Sequence, residues 1–202
     1  MKTRLLALAA SSALVAVLAA CGTPDASTPA DAGIPPSSSP AGGTVVSVSD
    51  SDISFAQLMI PHHQQAVEMA DLALSRVTSP EVKELAEQIK AAQGPEIEMM
   101  SNWLDGWGAP MEMGEDHSGH DMGDMNMSGM MSDDDMRALA DAQGAGFDRM
   151  WLEMMIAHHQ GAISMAEQVQ GSTSNAEVKT LAGAVITGQK VEIDTMQQLL
   201  AQ

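Results

Sequence analysis

Three observations predict an all-α fold, a four-helix bundle built from two tandem helical hairpins. Apolar residues recur at three- and four-residue spacing through four long segments, and no segment reads as a strand. The second half of the chain repeats the first. Residues 59–104 align with 155–200 without a gap at a constant offset of 96, with 18 identities over 46 positions, and self-similarity of that kind marks repeated architecture. Aromatic residues make up 2% of the chain, so Met, Leu, Ile and Ala must fill the core. Two such copies are expected to pack about a pseudo-two-fold axis, with equivalent helices face to face.

The chain opens with Lys2 and Arg4 ahead of an apolar run that ends at Ala20. The run is too short to span a bilayer comfortably, and small residues crowd its end, so residues 1–20 read as a secretory signal peptide. Leu18-Ala19-Ala20-Cys21 resembles a bacterial lipobox. Cys21 is then expected to be lipidated and to anchor the mature protein to the extracytoplasmic face of a membrane, at the cell surface or in the periplasm. The plainer reading is an ordinary cleaved signal. Cys21 is the only cysteine, so no internal disulfide is available and no metal chemistry of the mature chain rests on a thiolate. Residues 21–49 are rich in Pro, Ser, Thr, Ala and Gly and read as a flexible linker.

The folded part is expected over 50–202: repeat 1 over about 50–107, a connector over about 108–131, and repeat 2 over about 132–202. The first helix is predicted from Ser54 to about Ser75, with Phe55, Leu58, Met59, Ala66, Met69, Ala70 and Ala73 on one face. Pro61 should bend it, because proline leaves the carbonyl of Gln57 without its donor. The second helix starts at Ser79 as N-cap with Pro80 and Glu81 in its first turn, and runs towards Trp103 with a kink at Gly94-Pro95. Ser132 followed by three aspartates opens a short lead-in helix. Gly144 and Gly146 then separate it from a long helix that starts near Phe147. The last helix covers about Asn175 to Leu200.

Net charge is −18, from 9 basic and 27 acidic residues, and removal of Lys2 and Arg4 with the signal deepens it. Such a surface argues against nucleic acid as a partner and is compatible with cations. Solubility alone would explain it equally well.

Paired histidines are the sharpest chemical signal. His62 and His63 open the first copy's motif, and His158 and His159 stand in the same place in the second. On a helix, His63 shares a face with Met59 one turn earlier, and His62 lies in line with Met69. His159 relates likewise to Met155, and His158 to Met165. Imidazole with thioether suits copper, since thioether favours Cu(I) and imidazole tolerates both oxidation states. The competing reading is structural: a Met stripe is more often core than ligand, and a buried histidine is more often simply hydrogen-bonded. Replacing His63 or His159 should cost about 1 kcal/mol or less if the residue is solvent-exposed or functional, and roughly 1–3 kcal/mol if it is structural.

The connector from Met111 to Met131 is the second signal. It carries seven Met, two His, five acidic residues and no Lys or Arg. Its candidate ligands are Met111, Met113, His117, His120, Met122, Met125, Met127, Met130 and Met131. Met is its only large apolar type, and soft ligands on a flexible chain can wrap Cu(I) or Ag(I). The plain alternative is a polar linker.

The pair MIPHHQQAVEMA (59–70) and MIAHHQGAISMA (155–166), with FDRMWLEM (147–154) ahead of the second, resembles the DUF305 family over about residues 50–202. Some of its members are copper-binding envelope proteins of the CopM type. The resemblance implies a ferritin-like helical bundle, with metal ligands at His62, His63, His158 and His159 and nearby methionines. It supports an extracytoplasmic copper or silver buffer or chaperone in copper tolerance. A metal-delivery partner and a homo-oligomer are compatible with that role. Two other classes stand against it. A ferritin-like metal-dependent oxidase could draw carboxylates from Glu96 and Glu192, but no helix carries the Glu-x-x-His of di-iron bundles. A metal-free envelope interaction module is the other. No catalytic constellation stands out.

Overall fold

The computed structural model describes residues 48–113 and 128–202. The expected signal peptide, Cys21, most of the expected linker, and the connector residues His117, His120, Met122, Met125 and Met127 lie outside them. The described residues form five helices: α1 (Asp50–Arg76), α2 (Pro80–Trp107), α3 (Asp133–Asp141), α4 (Gly144–Ser172) and α5 (Ala176–Leu200). No strand occurs among them, and none of these helices is long and apolar enough to cross a membrane.

Local chemistry sets most of the boundaries. Ser49 caps α1 with a capping box closed by Asp52, so the helix begins at Asp50, four residues before the predicted start. Ser79 caps α2 with Pro80 in its first turn, and Gly108 ends it in the left-handed region at φ 66°. Ser132 and Asp135 form the capping box of α3. Asn175 caps α5 by accepting from the backbone of Glu177 and Val178. The expected break before the long fourth helix falls earlier, at Ala142-Gln143. Gly144 adopts φ 58°, which turns the chain and lets α4 begin there rather than at Phe147. Pro61 and Pro95 both lie inside helices assigned without interruption. Each removes a single N–H, and the buried residues around Pro61 hold α1 helical across the gap.

The helices pair as two hairpins, α1 with α2 and α4 with α5, and α1 packs on α4 across the centre. The central pair is antiparallel. Trp151 near the start of α4 donates its Nε1–H to the carbonyl of Met69 late in α1 (2.9 Å). Phe55 early in α1 packs with Met165 and Ala166 late in α4. Residues that match at the 96-residue offset thus occupy matching places.

Two apolar cores result. One joins the second half of α1 and the first half of α4, with Leu85, Ile89 and Met196 beside Trp151 and Met69. The other joins the opposite halves around Phe55, Met59, Met100, Leu104 and Met165. Each fully buried side chain of this size is worth about 1.5–3 kcal/mol. A carboxylate ties the hairpins together: Asp148 of α4 accepts from Thr78 N (3.1 Å), Thr78 Oγ1 (2.6 Å) and Ser79 N (2.9 Å) at the α1–α2 turn.

Candidate metal centre

Between the two apolar cores lies a polar layer. His62, His63, His158 and His159 are all buried there, at 0% exposure. The reason is the antiparallel crossing. It brings the middles of α1 and α4 together, and both His pairs sit there. The rings of His62 and His158, equivalent residues of the two copies, stand 3.8 Å apart between centroids and tilted by 44°. This ring pair forms the inner part of the layer.

His63 and His159 form the outer part. Each Nε2 lies 2.7 Å from a carboxylate of the neighbouring hairpin helix, Glu96 Oε2 and Glu192 Oε2 respectively. Those side chains are 21% and 18% exposed, so each connects a buried ring to the surface. Glu96 also lines a groove of about 560 Å³ with Met99, Trp103 and residues of α5. Gln93 and Gln189, one turn earlier than these glutamates, are buried in the same layer.

The inner pair is treated unequally. His62 Nε2 donates to the carbonyl of Ser128 (3.2 Å), whereas neither ring nitrogen of His158 makes a hydrogen bond. Burial lowers the pKa of His62 to about 4; the Ser128 carbonyl opposes the shift, and His63 and His159 add to it. Burial lowers that of His158 to about 2, reinforced by repulsion from His62, His159 and His63 and weakly opposed by the nearby His62 backbone. Both rings are therefore neutral near pH 7, the state in which imidazole is a ligand. Across the layer, Nδ1 of all four histidines and Nε2 of His158 are buried without a partner.

Ser128 belongs to the returning arm of the connector, which crosses the layer. Gln65 holds this arm by two reciprocal bonds, accepting from Met131 N at 2.7 Å and donating to Met131 O at 2.9 Å. In the second copy the matching residue is Gly161, where a Cβ would come within 1.7 Å of the Ser128 carbonyl oxygen. On the facing strand of chain Gly129 has φ 85°, and a Cβ there would meet the Ala157 carbonyl oxygen at 2.5 Å. One copy grips the arm and the other clears room for it.

The candidate methionines separate into groups. Met59 and Met165 are packed into one apolar core, Met69 and Met155 into the other, all at 3% exposure or less. Their position is that of core residues flanking the histidine layer. Met111 and Met113 are exposed and line a cavity of about 430 Å³ beside Gln57 and Pro61. Met130 and Met131 are half-buried in the returning arm. Among the described residues, no three His, Cys, Asp or Glu side chains form a ready-made metal cage.

From the sequence, Glu96 and Glu192 stood only as candidate carboxylates of a metal-dependent oxidase, not as partners of His63 and His159, and the Gln65/Gly161 pair was not read as a site feature. Both left a signal: Glu96 and Glu192 are identical at the repeat offset, and Gln65 against Gly161 is a departure inside an otherwise matching motif.

The sequence profile of DUF305, a domain of unknown function, matches residues 52–200. Among solved structures, the chain is 36% identical to a DUF305 protein of Streptomyces coelicolor, with a TM-score of 0.70 over 75% of this chain and 92% of that one. It is 30% identical to a DUF305 fragment from Deinococcus radiodurans, with a TM-score of 0.65 over 76% of this chain and 97% of that one. It is 35% identical to CopM in the Cu(I)-bound form, with a TM-score of 0.61 over 73% of this chain and 94% of that one. CopM structures also exist in Cu(II)-bound and Ag-bound forms. No curated protein matches the chain.

Proposed function

This chain belongs to the DUF305 family, and on that premise we propose that it is an extracytoplasmic copper- or silver-binding protein, a metal buffer or chaperone in copper tolerance. One observation carries the reading. Five buried imidazole nitrogens lack any partner. A buried polar atom left unpaired costs roughly 1–3 kcal/mol; a Lewis-acidic ion would offset that cost. Imidazole with thioether matches copper and silver chemistry, and CopM, a relative of this chain, is known with Cu(I), Cu(II) and Ag bound. The bundle site in this reading uses His62, His63, His158 and His159, with Met59, Met69, Met155 and Met165 as candidate soft ligands. A second site is the connector, with His117, His120 and its seven methionines. The signal-like N-terminus and the Streptomyces relative, described as a secreted protein, support export. Lipidation at Cys21 is part of the same proposal.

Titration of the full mature protein with Cu(I), Cu(II), Ag(I), Zn(II) and Fe(II) tests it, repeated after deletion of 114–127. That deletion spares Ser128 to Met131, which dock on the bundle. Copper or silver bound by both forms is the expected result. Binding only with the connector present removes the bundle site, and no binding by either form rejects the function.

A further inference from the structure

We infer that Glu96 and Glu192 are positioning residues that fix His63 and His159 as Nδ1 ligands for a soft monovalent cation, one half-site in each hairpin. The inference rests on the metal-binding reading above and adds which nitrogen binds, what orients it and which charge it selects.

The argument begins at the two contacts of 2.7 Å between ring Nε2 and carboxylate. An ionised carboxylate can only accept, so Nε2 must carry the hydrogen. In the neutral ring the lone pair then lies on Nδ1. In both residues Nδ1 is buried and has no partner. A histidine with a purely structural task normally has both nitrogens satisfied. Protonation does not remedy this, because it would only turn an orphan acceptor into an orphan donor. A cation at Nδ1 does remedy it. A carboxylate behind a metal-bound imidazole fixes the tautomer and ring orientation and raises the basicity of the ligating nitrogen.

The class of ion follows from charge and softness. Each half-site contains one anionic group, the glutamate, in a layer where charge is costly to bury. One carboxylate balances a monovalent ion and leaves a divalent ion half-compensated. One turn before each histidine, on the same helix face, lie Met59 and Met155, both at 0% exposure. A neutral nitrogen with a neutral thioether suits Cu(I) or Ag(I), d10 ions that accept low coordination numbers. Such a site also agrees with the absence of a cage of three His, Cys, Asp or Glu among the described residues.

The test uses the full mature protein labelled with 15N-histidine and titrated with Ag(I), whose natural isotopes have spin one-half. The expected result is a silver-induced shift, with 15N–Ag coupling, at Nδ1 of His63 and His159, while Nε2 of both keeps its hydrogen. Glu96→Gln and Glu192→Gln should each lower Ag(I) affinity by about 10–100-fold at the half-site that carries the change, with helix content and melting temperature retained. Glu96→Asp should recover part of that loss. Coupling at Nε2, with the glutamate displaced or itself ligating, overturns the inference and leaves the bundle-site reading standing. Unchanged affinity in both Gln variants overturns it as well. Silver that binds without perturbing any of the four imidazoles rejects the bundle site itself, and the inference with it.

Discussion

His63 and His159 have matching environments, whereas His62 and His158, one residue earlier on the same two helices, do not. The outer pair make the same contact at the same distance, each to a glutamate supplied by its own hairpin. The inner pair meet ring to ring, yet only His62 has a hydrogen-bond partner, the Ser128 carbonyl. The hairpins occur twice, so whatever they build from their own residues comes out twice. The connector occurs once. Wherever its returning arm touches the bundle, the two copies must differ, and Gln65 against Gly161 is the sequence's accommodation of that fact.

The largest expected effect breaks the comparison at Gly161. Gly161→Ala places a Cβ against the Ser128 backbone, which is not a flexible side-chain tip, and should destabilise the fold by about 3 kcal/mol or expel the arm. Denaturant midpoints, with hydrogen exchange at the Met131 amide, measure both. A stable variant with a protected amide would show that the arm does not dock as described. The matched change in the other copy, Gln65→Ala, removes two bonds and should cost roughly 1–3 kcal/mol.

Smaller effects of equal size are expected at the outer pair. Glu96→Ala and Glu192→Ala each leave a buried Nε2–H without its acceptor, at roughly 1–3 kcal/mol. Thermal melts of the two variants should agree within error; a clear difference between them would mean the outer pair is not equivalent after all. Burial also alters what histidine substitutions can tell. His63→Ala and His159→Ala will lower stability even if both bind metal, so affinity rather than melting temperature must decide their role.

The inner pair gives a pH signature in the metal-free protein. Both pKa values are lowered by folding, to about 4 for His62 and about 2 for His158. Below about pH 6.5 the unfolded chain takes up protons that these rings refuse, so stability falls as pH falls. The slope should be up to roughly 1.4 kcal/mol per pH unit for each ring. The His62 contribution ends near pH 4, while that of His158 continues further down. His158→Ala should therefore flatten the acid limb over a wider range than His62→Ala. Urea midpoints between pH 7 and pH 3.5 would show it, and identical limbs in wild type and both variants would refute the buried, neutral assignment.

The smallest effect concerns the hairpin junction. Asp148 holds the α1–α2 turn with charge-assisted bonds, while its counterpart Asp52 caps its own helix. Asp148→Asn keeps the shape and removes the charge, and should cost about 1 kcal/mol by thermal melting.

The amino-acid sequence alone determined the helices, their starts at Ser79 and Ser132, the two-hairpin plan and the identity of the paired histidines. These rest on interactions a few residues apart, which periodicity and spacing expose directly. Only the tertiary structure decided what the histidines face. One hundred degrees of helix rotation separates His62 from His63. Whether that rotation delivers a ring to a carboxylate, to a carbonyl or to another ring depends on the crossing of α1 with α4 and on where the connector returns. The glutamates stand 33 residues away from their histidines, and Ser128 stands 66 residues from His62. Such distant neighbours are fixed by packing, because no local pattern links them, and the buried, partly unpaired histidine layer came into view only once the helices were assembled.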